Sequence, residues 1–150
     1  ILQTNRGGKT TYHGPGQRII YFMINLNKRT KDIRKFVSII ENSIILLLKE
    51  FDIEAKTFPE RVGIWVIKSQ GNKFLKEKKI AAIGLRIKKW ITYHGLSFNI
   101  NPDLKYYKQI NACGLINSPS TSLKDLNIDL TNDEFDKIFK KYFYNEILQI

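Results

Sequence analysis

The chain has 150 residues, 43% hydrophobic and 26% charged, with a formal net charge of +11. These are the proportions of one soluble domain with one core; no uncharged apolar run approaches the roughly 20 residues of a bilayer span, and no signal-peptide pattern opens the chain. Cys113 is the only cysteine, which excludes an intramolecular disulfide, and with His13 and His94 as the only histidines no metal site is expected.

The segment Arg6 to Gln17 reads R-G-G-K-T-T-Y-H-G-P-G-Q. Glycine loses the most backbone freedom on folding, so this density of glycine points to backbone that must approach something closely. Gly7 and Gly8 on one side and the Gly14, Pro15, Gly16 turn on the other would hold a short strand, Lys9 to Tyr12, with Arg6 and His13 at its ends. That suits the wall of a ligand pocket. The segment is neither a dinucleotide fingerprint nor a P-loop.

Arg18 to Leu26 is a nearly continuous apolar run, expected as a strand buried on both faces. From Ile33 to Phe51 the apolar residues fall on a helical stripe, and Asp32 or Thr30 supplies the cap. Ile53 to Phe58 is a short strand ending at Pro59, Arg61 to Lys68 a firmer one, and Ser69 to Asn72 the turn after it. Lys79 to Ile91 is expected as a strand, broken by His94 and Gly95 and followed by the half-buried strand Leu96 to Asn101, the two making a hairpin. Pro102 ends that strand, Asp103 to Gln109 has the pattern of a short helix, and Asn111 to Ser118 that of a loop. Thr131 and Glu134 form a capping box for a closing helix with Phe135, Ile138, Phe139, Tyr142, Phe143 and Ile147 on one face. The order of elements predicts an α+β fold with a mixed, largely antiparallel sheet flanked by helices, in a single domain over residues 1–150.

A lone cysteine is most often a small buried hydrophobe. Cys113, however, is expected in a loop beside Gly114, where a thiol is accessible and backbone N–H groups can face a developing oxyanion. A nucleophilic thiol needs a group that takes or offsets its proton, and His13, His94 and the lysines are the candidates.

Four segments, R-G-G-K-T-T-Y-H-G-P-G-Q, K-I-A-A-I-G (Lys79 to Gly84), H-G-L-S-F-N (His94 to Asn99) and N-A-C-G (Asn111 to Gly114), stand in one order and spacing between Arg6 and Leu115. In this the chain resembles the lipoyl(octanoyl) transferases. The resemblance implies a fold like the catalytic domain of biotin and lipoate protein ligases. It also implies a catalytic pair, Cys113 as acyl-thioester nucleophile and Lys79 as the group that lowers the thiol's pKa and serves as general acid and base. It further implies an acyl pocket lined by Arg6, Gly7, Gly8, Lys9, Thr10, Thr11, Tyr12 and His13, by Ala82, Ile83 and Gly84, and by Gly95, Leu96 and Ser97.

By the same resemblance, octanoyl acyl carrier protein is the donor. The acceptor is a lysine on a lipoyl domain of an oxoacid dehydrogenase complex or on the glycine cleavage carrier protein. No cofactor is implied, and the setting is cytoplasmic. Family members carry further residues ahead of the R-G-G motif, so an N-terminal portion is expected to be missing from this stretch. The spread basic charge fits acidic carrier proteins better than a specific nucleic-acid or membrane partner. The rivals are an ATP-dependent lipoate or biotin protein ligase, a lipoyl amidotransferase and, outside the class, a basic nucleic-acid-binding domain favoured by charge alone.

Overall fold

The computed structural model describes residues 11–109 and 119–150. Among them five strands, β1 (Gln17–Tyr21), β2 (Ile53–Phe58), β3 (Arg61–Ser69), β4 (Asn72–Lys88) and β5 (Ile91–Asn99), form one sheet in the order β1-β5-β4-β3-β2. All four strand pairings are antiparallel, and an isolated parallel bridge joins Lys79 to Ser120. The α+β architecture with a largely antiparallel sheet is as expected.

Two tight hairpins set the strand lengths. Gln70 and Gly71 have φ of 49° and 80°, and Lys89 and Trp90 have φ of 50° and 62°. Two consecutive left-handed residues make the turn whose twist matches that of the flanking strands. The second turn carries no glycine. Tertiary bonds hold it instead: Lys89 O accepts from Asn27 Nδ2 at 3.0 Å, and Trp90 O accepts from the Leu26 amide at 2.7 Å. For this reason β5 begins at Ile91 and runs straight through His94 and Gly95, which do not break it. β4 likewise begins at Asn72, well before Lys79.

β1 also departs from expectation. It ends at Tyr21 and alternates, with Phe22 buried in the core while Tyr21 and Met23 are 65% and 79% exposed. An edge strand with helices on one face alone buries only its alternate side chains. Thr11 and Tyr12 carry no strand, and Lys9 and Thr10 lie outside the described residues.

Two α-helices among the described residues cover one face of the sheet. α1 (Ile33–Lys49) is capped by Asp32, whose side chain accepts from the Lys35 amide at 3.0 Å, and α2 (Asn132–Ile147) by the Thr131–Glu134 capping box. Their apolar stripes meet the sheet in one cluster that includes Phe36, Ile40, Ile44, Leu47, Phe135, Phe139 and Phe143 with Ile64, Val66, Leu96 and Phe98. Burial of each such side chain stabilises the fold by roughly 1.5–3 kcal/mol. The Phe98 and Phe135 rings lie 4.6 Å apart.

Glu50, which ends α1, accepts from Lys141 Nζ at 2.7 Å and from the Tyr142 hydroxyl at 2.6 Å, joining the end of α1 to α2. The Lys141 hydrogen bond first, and then that from Tyr142, holds the Glu50 carboxyl below the usual carboxylate range. A depressed carboxyl stabilises the fold above its unfolded pKa, and that contribution is lost as pH falls through the folded value. Glu50→Gln is therefore expected to lower stability at neutral pH and to match the parent in acid, a convergence that denaturant melts across pH would detect.

Candidate active site

The face of the sheet opposite the helices is floored by small residues. Ala81, Leu96 and Phe98 belong to the helix-packed core, with Ile83 and Leu85 packed against it. Their alternates Ala82 and Gly84 on β4, and Gly95 and Ser97 on β5, therefore face the other way. Register places them in two rows, Ala82–Ser97–Ile19 and Gly84–Gly95–Tyr21. Adjacent strands lie about 4.8 Å apart, so each row from β4 to β1 spans roughly 10 Å, close to the length of an extended eight-carbon chain. Gly95 is required by close approach, since a Cβ there would stand 1.8 Å from Ile20 O. The side chains of Ile83 and Leu96 point to the helices, so these two present backbone alone to the open face.

Lys79 reaches this face through an irregularity in β4. Ile64 pairs with Ala81 while the next residue, Trp65, pairs with Lys79, so Ile80 is an extra residue in the ladder. Ile80 and Ala81 both enter the core cluster. Strict alternation would put Lys79 on the same side as Ala81; the bulge turns it to the side of Ala82. There the lysine is 7% exposed. Its Nζ donates to Val62 O at 2.7 Å and lies 5.4 Å from the centre of the Trp65 ring. Gly63 supplies the space, because a Cβ there would stand 2.5 Å from Lys79 Cε. The neighbouring Lys78 turns to Asp125 instead, at 3.6 Å.

Behind Trp65 the Arg61 guanidinium stacks on both Phe58, at 3.7 Å, and Trp65, at 4.4 Å, and pairs with Glu77 at 3.1 Å. The Glu77 carboxyl is held low first by its own backbone amide and then by Arg61. This stack fixes the ring against which Lys79 lies.

The segment from Pro119 onward takes the lane beside β4 that β5 vacates. The Lys79 amide donates to Pro119 O at 2.9 Å, and the Thr121 amide donates to Lys79 O at 2.8 Å. Asn99 Nδ2 donates to Thr121 O at 3.0 Å. Asn99 Oδ1 in turn accepts from Gln17 Nε2 at 3.0 Å and from the Tyr107 hydroxyl at 2.9 Å. Gln17 Oε1 accepts from the Gly14 amide at 3.1 Å and lies 3.4 Å from His13 Nδ1. A continuous set of hydrogen bonds thus runs from His13 to the peptide of Lys79. The ring of Tyr12 stacks on Tyr106 at 4.9 Å, beside an open cleft of about 370 Å³ also lined by Pro15, Gly16, Asn101 and Asp103.

Of the residues expected at the site, Lys79, Ala82, Gly84, Gly95 and Ser97 share the open face. Thr11, Tyr12 and His13 lie at the end of the sheet where β1 begins. Cys113 and Arg6, Gly7, Gly8, Lys9 and Thr10 lie outside the described residues, as does the expected loop from Asn111 to Ser118. Val62, Gly63, Trp65, Gln17 and Asn99 are not among the residues expected from sequence. The signal for Gly63 was present: a glycine inside the run R-V-G-I-W marks a bulge or a close approach. Among the described residues no group of three or more His, Cys, Asp or Glu is placed to hold a metal, and no helix is long and apolar enough to cross a membrane.

Comparison with known proteins gives a consistent family. The family described as the lipoyl protein ligase A/B catalytic domain matches residues 1–144. The octanoyltransferase of Wolbachia pipientis wMel is 49% identical over 145 residues, 96% of this chain and 68% of that protein. That of Bartonella bacilliformis is 43% identical over 147 residues, 95% of this chain and 61% of its own length.

Among solved structures, biotin protein ligase from Aquifex aeolicus in complex with biotin and ATP superposes with a TM-score of 0.65 at 16% identity, covering 89% of this chain and 51% of that one. The bi-partite lipoate protein ligase of Thermoplasma acidophilum gives 0.64 at 14% identity, over 96% and 56%. The chain spans about half the length of these structures, and the likeness is one of fold. With the family match over nearly the whole length and 49% identity across 96% of the chain, this protein belongs to the lipoyl protein ligase A/B catalytic-domain family and, within it, to the octanoyltransferases.

Proposed function

We propose that this protein moves an octanoyl group from octanoyl acyl carrier protein, through a thioester on Cys113, to a lysine amine of a lipoyl domain of an oxoacid dehydrogenase complex or of the glycine cleavage carrier protein, in the cytoplasm. The observation that carries the reading is the placement of Lys79. A bulge turns it out of the core, and its own peptide is bonded to Pro119 and Thr121. Cys113 is six positions before Pro119 in the sequence, a tether that reaches at most about 20 Å.

The chemistry closes without an external energy source. The Cys113 thiolate attacks the octanoyl thioester carbonyl, a new C–S bond forms, and the bond to the carrier's pantetheine sulfur breaks. The Lys79 ammonium gives its proton to that departing sulfur. The acceptor amine then attacks the acyl-enzyme, the C–S bond to Cys113 breaks, and the neutral Lys79 amine takes the proton released by the new amide. Thiolate and ammonium are restored. The first exchange replaces one thioester by another, and the second, thioester to amide, is downhill. The small-residue floor formed by Ala82, Gly84, Gly95 and Ser97 supports a place for the alkyl chain, and the net charge of +11 favours encounter with acidic carriers.

Intact-protein mass spectrometry after mixing with octanoyl acyl carrier protein, without ATP, tests the reading. The expected result is a gain of one octanoyl group that is lost with hydroxylamine and is absent in Cys113→Ser. A folded protein that stays unmodified, and that octanoylates a lipoyl domain only when ATP and free octanoate are supplied, would instead be a ligase.

A further inference from the structure

Gly63 sits within β3 at φ +122°, a conformation that L side chains rarely adopt, and it is packed on the lysine of the proposed pair. A Cβ at this position would meet Ala81 O at 2.5 Å, Lys79 Cε at 2.5 Å and Lys79 Nζ at 3.0 Å. The backbone oxygen and the buried β4 side chain have little room to yield, because Lys79 is closed in by Trp65 and its peptide is bonded on both sides, to Pro119 and Thr121. The residue before Gly63 is Val62, whose carbonyl accepts from Lys79 Nζ at 2.7 Å. The peptide linking Val62 to Gly63 is therefore both the surface on which the lysine lies and the acceptor that orients its head.

We propose that Gly63 is a positioning residue for acyl transfer. Its bare Cα and its left-handed-side backbone set the Val62 carbonyl against Lys79 Nζ and fix where that nitrogen delivers and collects its proton. The proposal rests on Lys79 being the acid and base of the transfer. In the ammonium form, which protonates the departing thiolate, one N–H of Lys79 is held by the Val62 carbonyl in a charge-assisted bond. Once it has given up that proton, the neutral amine still has N–H groups to donate to Val62 O. Its lone pair then faces away from the Val62 carbonyl, so that it can take the proton of the incoming amine. One acceptor thus serves both half-reactions without a rotation of the lysine. In Gly63→Ala the methyl group occupies the space of Cε, and the amine can no longer keep this position.

The test compares Gly63→Ala with Gly71→Ala. Gly71 also has a positive φ, of 80°, but a Cβ there meets nothing within 4 Å, so it carries backbone strain without touching the lysine. The readouts are the single-turnover rate of Cys113 octanoylation, the donor concentration giving half-maximal rate, and the pH profile of Cys113 alkylation by iodoacetamide. Gly63→Ala is expected to slow octanoylation at least tenfold, leave half-saturation within twofold, and move the alkylation midpoint upward. Gly71→Ala is expected to keep the parental rate and profile even though it melts earlier.

A folded Gly63→Ala protein with the parental rate and alkylation profile would overturn the proposal, as would equal losses in the two variants. If Gly63→Ala does not fold, glycolic acid at position 63 decides. It turns the Val62–Gly63 amide into an ester, a weaker acceptor, and adds no atom at Cα. A loss of at least fivefold supports the proposal and an unchanged rate ends it. A parent protein that forms no octanoyl adduct removes both the transfer reading and this one, whereas an adduct in the parent with no effect at position 63 removes this one alone.

Discussion

Lys79→Met is expected to lower the rate of octanoyl transfer by about a thousandfold, within the range of 10²–10⁴ supplied by a positioned acid or base. Methionine keeps an unbranched apolar stem of similar length in the channel between Gly63 and Trp65, so the packing that leaves Lys79 only 7% exposed survives. What is lost is the amine proposed to carry the proton. Single-turnover mass spectrometry of the acyl-enzyme, beside a thermal melt, separates a chemical defect from a folded-state one.

Lys79→Arg sharpens the test. Arginine keeps the positive charge but does not give up its proton in this range, and its planar fork does not reproduce the point-donor geometry with which Lys79 Nζ meets Val62 O. If proton transfer is the role, Arg fails as badly as Met. An Arg variant that retains most of the rate would reduce Lys79 to a fixed charge.

Gly95→Ala is expected to destabilise the protein by about 3 kcal/mol, the upper end for overpacking. In a chain of this length that corresponds to a fall in Tm of roughly 6–12 °C. The added methyl would stand 1.8 Å from Ile20 O, 2.9 Å from Ile20 C and 3.0 Å from Phe22 Cδ2. Most of these are backbone atoms of the neighbouring strand, so β1 has to move away from β5. The damage also extends to the site. β1 carries Gln17, whose amide bonds Asn99 and through it Thr121, and a displaced β1 breaks the set of hydrogen bonds leading from His13 toward Lys79. Differential scanning calorimetry with the octanoylation rate measured well below the melt would show both losses. A variant that melts with the parent would mean that β1 is held more loosely than its bonds to Ser97 and Asn99 indicate.

Much of the architecture is legible from residue pattern because pattern and burial agree. The stripe of α1, the Thr131–Glu134 cap of α2 and the β-branched run of β3 all sit where one face meets the core. The four motifs also brought the family into view. The hairpin at Lys89 and Trp90 was not legible, because its left-handed pair contains neither glycine nor asparagine and is held by Asn25–Asn27 neighbours far away in sequence. His94 and Gly95 resembled a chain break for the opposite reason. His94 does adopt φ of 60°, yet it does so inside a continuous strand.

At the site, the motif K-I-A-A-I-G identifies Lys79 but not the bulge at Ile80 that aims it. An extra residue in a ladder is a property of two strands at once and leaves no mark on either. For the cradle around the lysine, the glycine in R-V-G-I-W marks a close approach without showing what approaches. Gly63 looks like an ordinary strand interruption until the side chain from the next strand is laid across it.

The order in which β2, β3, β4 and β5 follow one another has a consequence for assembly. They form an unbroken meander within residues 53–99, each strand pairing with the next through a short connection. Such local pairings close quickly, whereas β1 must dock on β5 from the far side of α1, and the 119–124 segment must return past the end of β5. The floor and Lys79 belong to the early meander, while the groups that meet them from either side belong to the late arrivals. Those late segments are also the first that a partial opening would release. The halves of the site are thus built at different moments of folding, and amide exchange at Ile20 and Thr121 would run ahead of exchange at Ala82 and Ser97, which pair with each other across β4 and β5.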